Sequence, residues 1–126
     1  MRVVDTSAWI EWLVDSQIGK DVAPELPDLA EWIVPTIVQH ELMRWLLRSV
    51  SGKAADEVLA FSTRLVVIPL STRIAVHAAE LSRTHKLPLA DSLIYATALD
   101  ASADLLTCDA HFKGLPSVVY LTKTAP

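Results

Sequence analysis

Four carboxylates occupy positions from which they could act together. Asp5 closes the β-branched run Arg2-Val3-Val4, Glu41 lies in an otherwise apolar and basic stretch, Asp91 opens an apolar segment, and Asp109 follows Asp104-Leu105-Leu106-Thr107. Singly, each has an ordinary role: Asp91 and Asp109 as helix caps, Glu41 as an ion-pair partner of Arg44 or Arg48 on its own helix face. Held close together, carboxylates repel and take up protons unless a cation stands among them. Oxygen ligands with no His or Cys partner select Mg2+ or Mn2+ rather than zinc, and helix N-termini at Asp91 and Asp109 favour the ionised forms. Such an ion suits phosphodiester hydrolysis, because it deprotonates water and neutralises charge on the in-line transition state. On this reading Asp5, Glu41, Asp91 and Asp109 hold the metal.

The elements that must position these acids follow from periodicity. Residues 2–4 predict a strand, and Ala8 to Leu13 a helix capped by Ser7. Residues 15–31, with Gly19, Pro24 and Pro27, read as irregular with one short helix. Trp32-Ile33-Val34 is a second strand, and Thr36 with Gln39 makes a capping box for a helix over 37–48, its apolar stripe being Val38, Leu42, Trp45 and Leu46. Ser51-Gly52 separates it from a helix over 54–62, and Leu65 to Ile68 is a buried strand. Ser71 or Thr72 caps a helix to His85, and a further helix runs over 89–101 beyond the Lys86-Leu87-Pro88 break. Asp104 to Thr107 and Val118 to Tyr120 complete the strands, with Asp109 capping a helical turn between them. Strands alternating with helices predict a single α/β domain over residues 1–126, a three-layer α/β/α sandwich on a mainly parallel sheet. Ligands gather beyond the carboxyl ends of such strands, where Asp5 and Asp109 fall.

Composition sets the outer bounds. With 126 residues, 52% of them hydrophobic and 21% charged, the chain is too apolar for disorder. The apolar excess predicts burial against another chain, here a homodimer. No apolar run approaches the length of a membrane span, and acids interrupt the first apolar residues where a signal peptide would need none, so a soluble cytoplasmic protein is expected. A lone Cys108 excludes a disulfide framework and a Cys-rich zinc site. A net charge of −4 means that any nucleic-acid contact needs a local basic patch or a bridging cation. Arg44 and Arg48, one turn apart beside Glu41, are the phosphate-contact candidates.

Four segments now carry a resemblance: Val3-Val4-Asp5-Thr6-Ser7-Ala8, Thr36-Ile37-Val38-Gln39-His40-Glu41-Leu42, Leu89-Ala90-Asp91-Ser92-Leu93-Ile94-Tyr95-Ala96 and Leu106-Thr107-Cys108-Asp109-Ala110-His111-Phe112. In order and spacing they resemble the PIN-domain ribonucleases, and among these the VapC toxins of VapBC toxin-antitoxin pairs. The resemblance covers nearly the whole chain; one departure is the bulky Arg44 and Trp45 where a small residue often follows the Glu41 segment. It implies that Asp5, Glu41, Asp91 and Asp109 bind metal, with Thr6, Ser7 and Thr107 as polar helpers. It further implies Mg2+- or Mn2+-dependent endoribonuclease cleavage, dimerisation and silencing by a small cognate antitoxin whose C-terminal segment lies along a groove. DNA binding would belong to the antitoxin and not to this chain.

Other features carry less. His40-Glu41 lacks the second histidine of a zinc-protease helix, Arg44 standing there. His77, His85 and His111 lack mutual ligand spacing and read as satisfied or solvent-facing, and Cys108 between Thr107 and Asp109 reads as a small packed residue. Trp9, Trp12, Trp32 and Trp45 read either as core or, for Trp9, Trp12 and Trp45, as lining of the implied antitoxin groove. A phosphorelay receiver would need paired acids after the first strand, where Asp5 is alone. A catalytically inert protein-binding module is the remaining alternative, and loss of one acid would have favoured it.

Overall fold

The computed structural model describes residues 1–122; the last four residues of the expected domain, 123–126, lie outside the described residues. Five strands form one sheet in the order β3-β2-β1-β4-β5: β1 (Arg2–Val4), β2 (Trp32–Pro35), β3 (Val66–Ile68), β4 (Asp104–Thr107) and β5 (Val118–Tyr120). Every pairing is parallel. The chain builds outward from β1 to β3 on one side, then returns to place β4 and β5 on the other. The order thus reverses at β1 and β4, the switch point where a parallel sheet opens a crevice at its carboxyl end.

Successive strand residues point to opposite faces, so a strand buried at consecutive positions is covered on both. Val3 and Val4, Ile33 and Val34, and Leu105 and Leu106 are all fully buried. The expected α/β/α sandwich is therefore present, with six α-helices among the described residues: α1 (Thr6–Leu13), α2 (Gln17–Val22), α3 (Thr36–Ser49), α4 (Gly52–Ser62), α5 (Thr72–His85) and α6 (Leu89–Asp100). Within α6 every residue from Ser92 to Ala98 is buried, which makes it the central helix and anchors Asp91 in its first turn. Gly19 on α2 sits against the carbonyl of Glu11, where a Cβ would collide with backbone.

Several local expectations change. Ser7 does not cap α1: the cap position belongs to Asp5, and the Ser7 hydroxyl turns to the Asp5 carboxylate. The capping box on α3 does not form either. Pro35 holds the cap position, the Thr36 hydroxyl accepts from the Leu70 amide at 3.2 Å, and the Gln39 amide donates to Ser62 at 3.0 Å. For Thr36 and Gln39 a longer-range partner takes the side chain away from local capping, and for Ser7 the neighbouring Asp5 carboxylate does. Ser51 caps α4, its hydroxyl accepting from the Ala54 amide. β3 is an edge strand and not a buried one, with Val67 37% exposed, because only β2 neighbours it.

The tryptophans divide. Trp9 is fully buried, with ring centroids 4.8 Å from Trp32 and 6.0 Å from Phe61, and Trp12 lies 5.7 Å from Trp32. Trp9 is thus core and not groove lining, because α1 turns it into an aromatic cluster with Trp32 and Phe61. Trp12, partly buried, joins that cluster, and Trp45 lines a groove beside α3. No helix among the described residues is long and apolar enough to cross a membrane.

Candidate active site

Short elements deliver the acids to one end of the sheet. Asp5 follows β1 directly, Asp109 follows β4 by two positions, Asp91 rides the first turn of α6, and Glu41 projects from the middle of α3. The Asp5 amide donates to the Leu106 carbonyl at 2.8 Å, extending the β1–β4 pairing to the acid itself.

Asp5 is the most enclosed of the four, 3% exposed. Its Oδ2 accepts from the Ser7 hydroxyl at 2.7 Å and the Thr107 hydroxyl at 2.7 Å. Thr107 Oγ1 also accepts from the Asp109 amide at 3.0 Å, and Ser7 Oγ accepts from the Cys108 amide at 3.0 Å. On the other side, the Thr6 hydroxyl donates to Glu41 Oε1 at 2.6 Å. Thr6, Ser7 and Thr107 are therefore all bonded to the acids or to the backbone beside them. Glu41 takes this partner instead of Arg44 or Arg48.

Burial pushes the Asp5 carboxyl up to about 6, the two hydroxyls oppose this, and Asp109 and Glu41 raise it further. Asp91 is also pushed up to about 6, first by burial and then by Asp109 and Asp5. Asp91 thus lies above the ordinary carboxylate value although it sits in the first turn of a helix, because burial and like charge outweigh what favours its ionised form there.

His111 is the residue that sequence reasoning set aside. Its Nδ1 lies 2.9 Å from Asp91 Oδ2 and 3.1 Å from Asp109 Oδ1, and its amide donates to Asp109 Oδ1 at 2.9 Å. Its side chain is 59% exposed, at the mouth of the site, and its imidazole is raised above the usual value chiefly by Asp109. The signal was the spacing Asp109-x-His111: the Asp109-capped turn over Ala110–Phe112 folds the ring back over the acid.

Asp91, Asp109 and His111 each offer a ligand atom within 4.8 Å of one another. Asp5 and Glu41 stand outside that tight group, with Asp5 coupled electrostatically to Asp109 and Glu41. A donor set dominated by carboxylate oxygens, with Asp5 and Asp91 both raised to about 6 by burial, fits a hard divalent cation.

Beside Glu41 and Thr6 opens a groove of about 550 Å3 lined by α3 and the start of α6. Arg44, Trp45 and Arg48 line it; Trp9 and Trp12 do not.

Comparison with known proteins places these features in context. The chain matches the family described as PIN domain over residues 2–117. No curated protein matches it by sequence. Among solved structures it is similar to a toxin-antitoxin complex from Klebsiella pneumoniae, at 23% identity and TM-score 0.81, over 94% of this chain and 96% of that one. It is also similar to a sarcin-ricin-loop-cleaving VapC toxin of Mycobacterium tuberculosis, at 19% identity and TM-score 0.77, over 98% and 100% of the two chains. The FitAcB structure from Neisseria gonorrhoeae is similar at 21% identity and TM-score 0.76, over 96% and 97%.

Proposed function

The chain belongs to the PIN-domain family, and from that premise we propose that it is a metal-dependent endoribonuclease, the toxin of a toxin-antitoxin pair. The observation that carries the reading is the grouping at the switch point of the sheet: Asp91 and Asp109 offer ligand atoms within 4.8 Å of one another, and Thr107 ties the buried Asp5 to the Asp109 amide. Such a cluster is at odds with itself at neutral pH until a cation enters it.

In this proposal Asp5, Asp91, Asp109 and Glu41 hold Mg2+, with Mn2+ as a substitute. The ion supplies an activated water and charge neutralisation for phosphodiester hydrolysis. The protein's own part is positioning. Ser7 and Thr107 lock the Asp5 carboxylate from two directions, Thr6 holds Glu41, and the Thr107 contact to the Asp109 amide fixes the loop after β4. His111, its imidazole raised chiefly by Asp109, stands at the mouth against Asp91 and Asp109.

The toxin assignment draws on the neighbours, which include a toxin-antitoxin complex and a VapC toxin. We propose a small cognate antitoxin as partner, RNA as substrate, a homodimer built on the chain's apolar excess, and a cytoplasmic setting for one PIN domain that does not itself bind DNA. The test is digestion of a mixed RNA pool by the purified chain with Mg2+, Mn2+ or EDTA, with and without the product of a small reading frame adjacent to its gene. Cutting with either cation, none with EDTA, and inhibition by the small protein are expected. Cutting that persists in EDTA contradicts the metal assignment, and a folded, cation-binding chain that cuts no RNA contradicts the nuclease.

A further inference from the structure

α6 carries Asp91 in its first turn and, four residues on and therefore on the same face, Tyr95. Burial along this helix runs from Ser92 to Ala98, and the hydroxyls of Ser92 and Thr97 turn back onto carbonyls of α6 itself, those of Leu89 and Leu93. Tyr95 reaches outward instead. It is 1% exposed, donates to the Pro116 carbonyl at 2.6 Å, and holds its ring centroid 6.1 Å from that of the fully buried Phe112. Phenylalanine would serve the packing equally well, so what the phenol adds is the bond.

Both contacts fall on the segment that presents Asp109. After β4 the chain turns through Asp109 and Ala110–Phe112, passes Gly114 at φ 81°, and returns to β5 through Ser117, a non-glycine residue in left-handed backbone at φ 61°. The backbone bonds inside the segment are short-range, from the Phe112 amide to Asp109, from Lys113 to Ala110 and from Leu115 to Phe112. They shape its turns without fixing it to the body of the protein. Among the described residues two side-chain hydrogen bonds join α6 to it: the exposed His111–Asp91 contact at 2.9 Å and the more enclosed Tyr95–Pro116 bond at 2.6 Å. A left-handed serine directly after Pro116 persists only where its surroundings over-determine it, and the Tyr95 bond is one such restraint.

We propose that Tyr95 is a positioning residue for the acids: its bond to Pro116 and its ring against Phe112 hold the Asp109 turn at a set distance from Asp91, one helical turn away on α6. Thr107 fixes Asp109 to Asp5 from the β4 side, and Tyr95 closes the other side. A cation shared by Asp91 and Asp109 needs their oxygens held in a narrow range, and this latch maintains the 4.8 Å grouping at the site. The inference rests on the metal-dependent nuclease reading above.

The experiment is calorimetric titration of metal-free protein with Mn2+, comparing the unmodified chain, Tyr95→Phe and Ser62→Ala. Ser62 is fully buried on α4, bonded to Gln39 and to the Leu59 carbonyl away from the acids, so its variant controls for loss of a buried hydrogen bond as such. Tyr95→Phe is expected to weaken Mn2+ binding about tenfold, and Ser62→Ala to leave it unchanged. Amide hydrogen exchange in Tyr95→Phe should quicken over residues 111–115 and not in β1 or β4, the fold standing while the Asp109 segment loosens. In RNA cleavage the Mn2+ concentration for half-maximal rate should rise by the same factor with KM for RNA unchanged, because the latch acts on the acids and not on the substrate. Tyr95→Phe protein that binds Mn2+ as tightly as the unmodified chain, or no more weakly than Ser62→Ala, overturns the positioning role and leaves the nuclease standing. Weakened Mn2+ binding in Tyr95→Phe, with no RNA cut by the unmodified chain, supports the positioning role and overturns the nuclease. An unmodified chain that neither binds Mn2+ nor cuts RNA overturns both readings.

Discussion

Thr107, at the end of β4, donates a hydrogen bond of 2.7 Å to Asp5, which lies 102 positions earlier at the end of β1. The same hydroxyl oxygen accepts from the Asp109 amide at 3.0 Å. One fully buried side chain thus spans the switch point and sets the spacing of two acids.

Replacing Thr107 by valine keeps the volume but leaves the Asp109 amide without its acceptor and Asp5 without one donor. Thr107→Val is expected to cost about 1–3 kcal/mol of stability and to slow metal-dependent cleavage about 10- to 100-fold, whereas Thr107→Ser restores much of both. Denaturant titration and initial rates measure the two effects; a valine variant as fast as the parent contradicts the positioning role.

The raised carboxyls set a pH dependence. In the unfolded chain an aspartate titrates near about 4, whereas Asp5 and Asp91 in the folded protein lie at about 6. Between these values the native state holds more protons than the unfolded one, so stability falls as pH rises. His111, raised chiefly by Asp109, adds a contribution of the same sign at higher pH. Metal-free protein is therefore expected to be more stable near pH 5 than at pH 7. Asp5→Asn should flatten that fall and stabilise the metal-free state at pH 7 by about 1–2 kcal/mol. Thermal melts with EDTA at the two pH values decide it, and a parent protein that gains stability toward pH 7 contradicts the strained cluster.

Trp9 and Trp45 should behave oppositely. Trp9 is fully buried in the aromatic cluster, so Trp9→Ala is expected to cost about 3–5 kcal/mol. Trp45 is only partly buried at the groove, and Trp45→Ala should cost well under half of that. Comparable losses from urea denaturation would contradict this division.

How far the sequence was legible follows from the range of the interactions involved. Val3-Val4, Ile33-Val34 and Leu105-Leu106 are continuous apolar pairs, and burial on both sheet faces is what such pairs demand. That Asp5, Asp91 and Asp109 meet at one end of the sheet was legible because strand ends and helix starts converge there whatever the loops do; Glu41, inside α3, gave no such signal. Thr36 and Gln39 carried local capping signals, but their partners are Leu70 and Ser62, and a local rule cannot see a competitor 34 or 23 residues away. Residues 65–68 showed an apolar run that reads alike at the centre or edge of a sheet. His111 was missed because its role depends on the Asp109 turn, which places its ring against Asp91, 20 residues earlier.

His111 and Asp91 are in contact at 2.9 Å yet should differ in kind. With the acids assigned as ligands and His111 as their hydrogen-bond partner at the mouth, Asp91→Asn is expected to weaken Mn2+ binding at least about 100-fold, and His111→Ala by less than about tenfold. Calorimetric titration of metal-free protein checks this. Equal losses would move His111 into the ligand set.

The most direct test compares RNA cleavage rates of the parent chain and Asp91→Asn, prepared identically, at saturating Mn2+. The account predicts cutting by the parent and a rate at least about 100-fold lower in the variant, with the variant's fold intact. A variant that cuts as fast as its parent would contradict the assignment of these carboxylates to the chemistry.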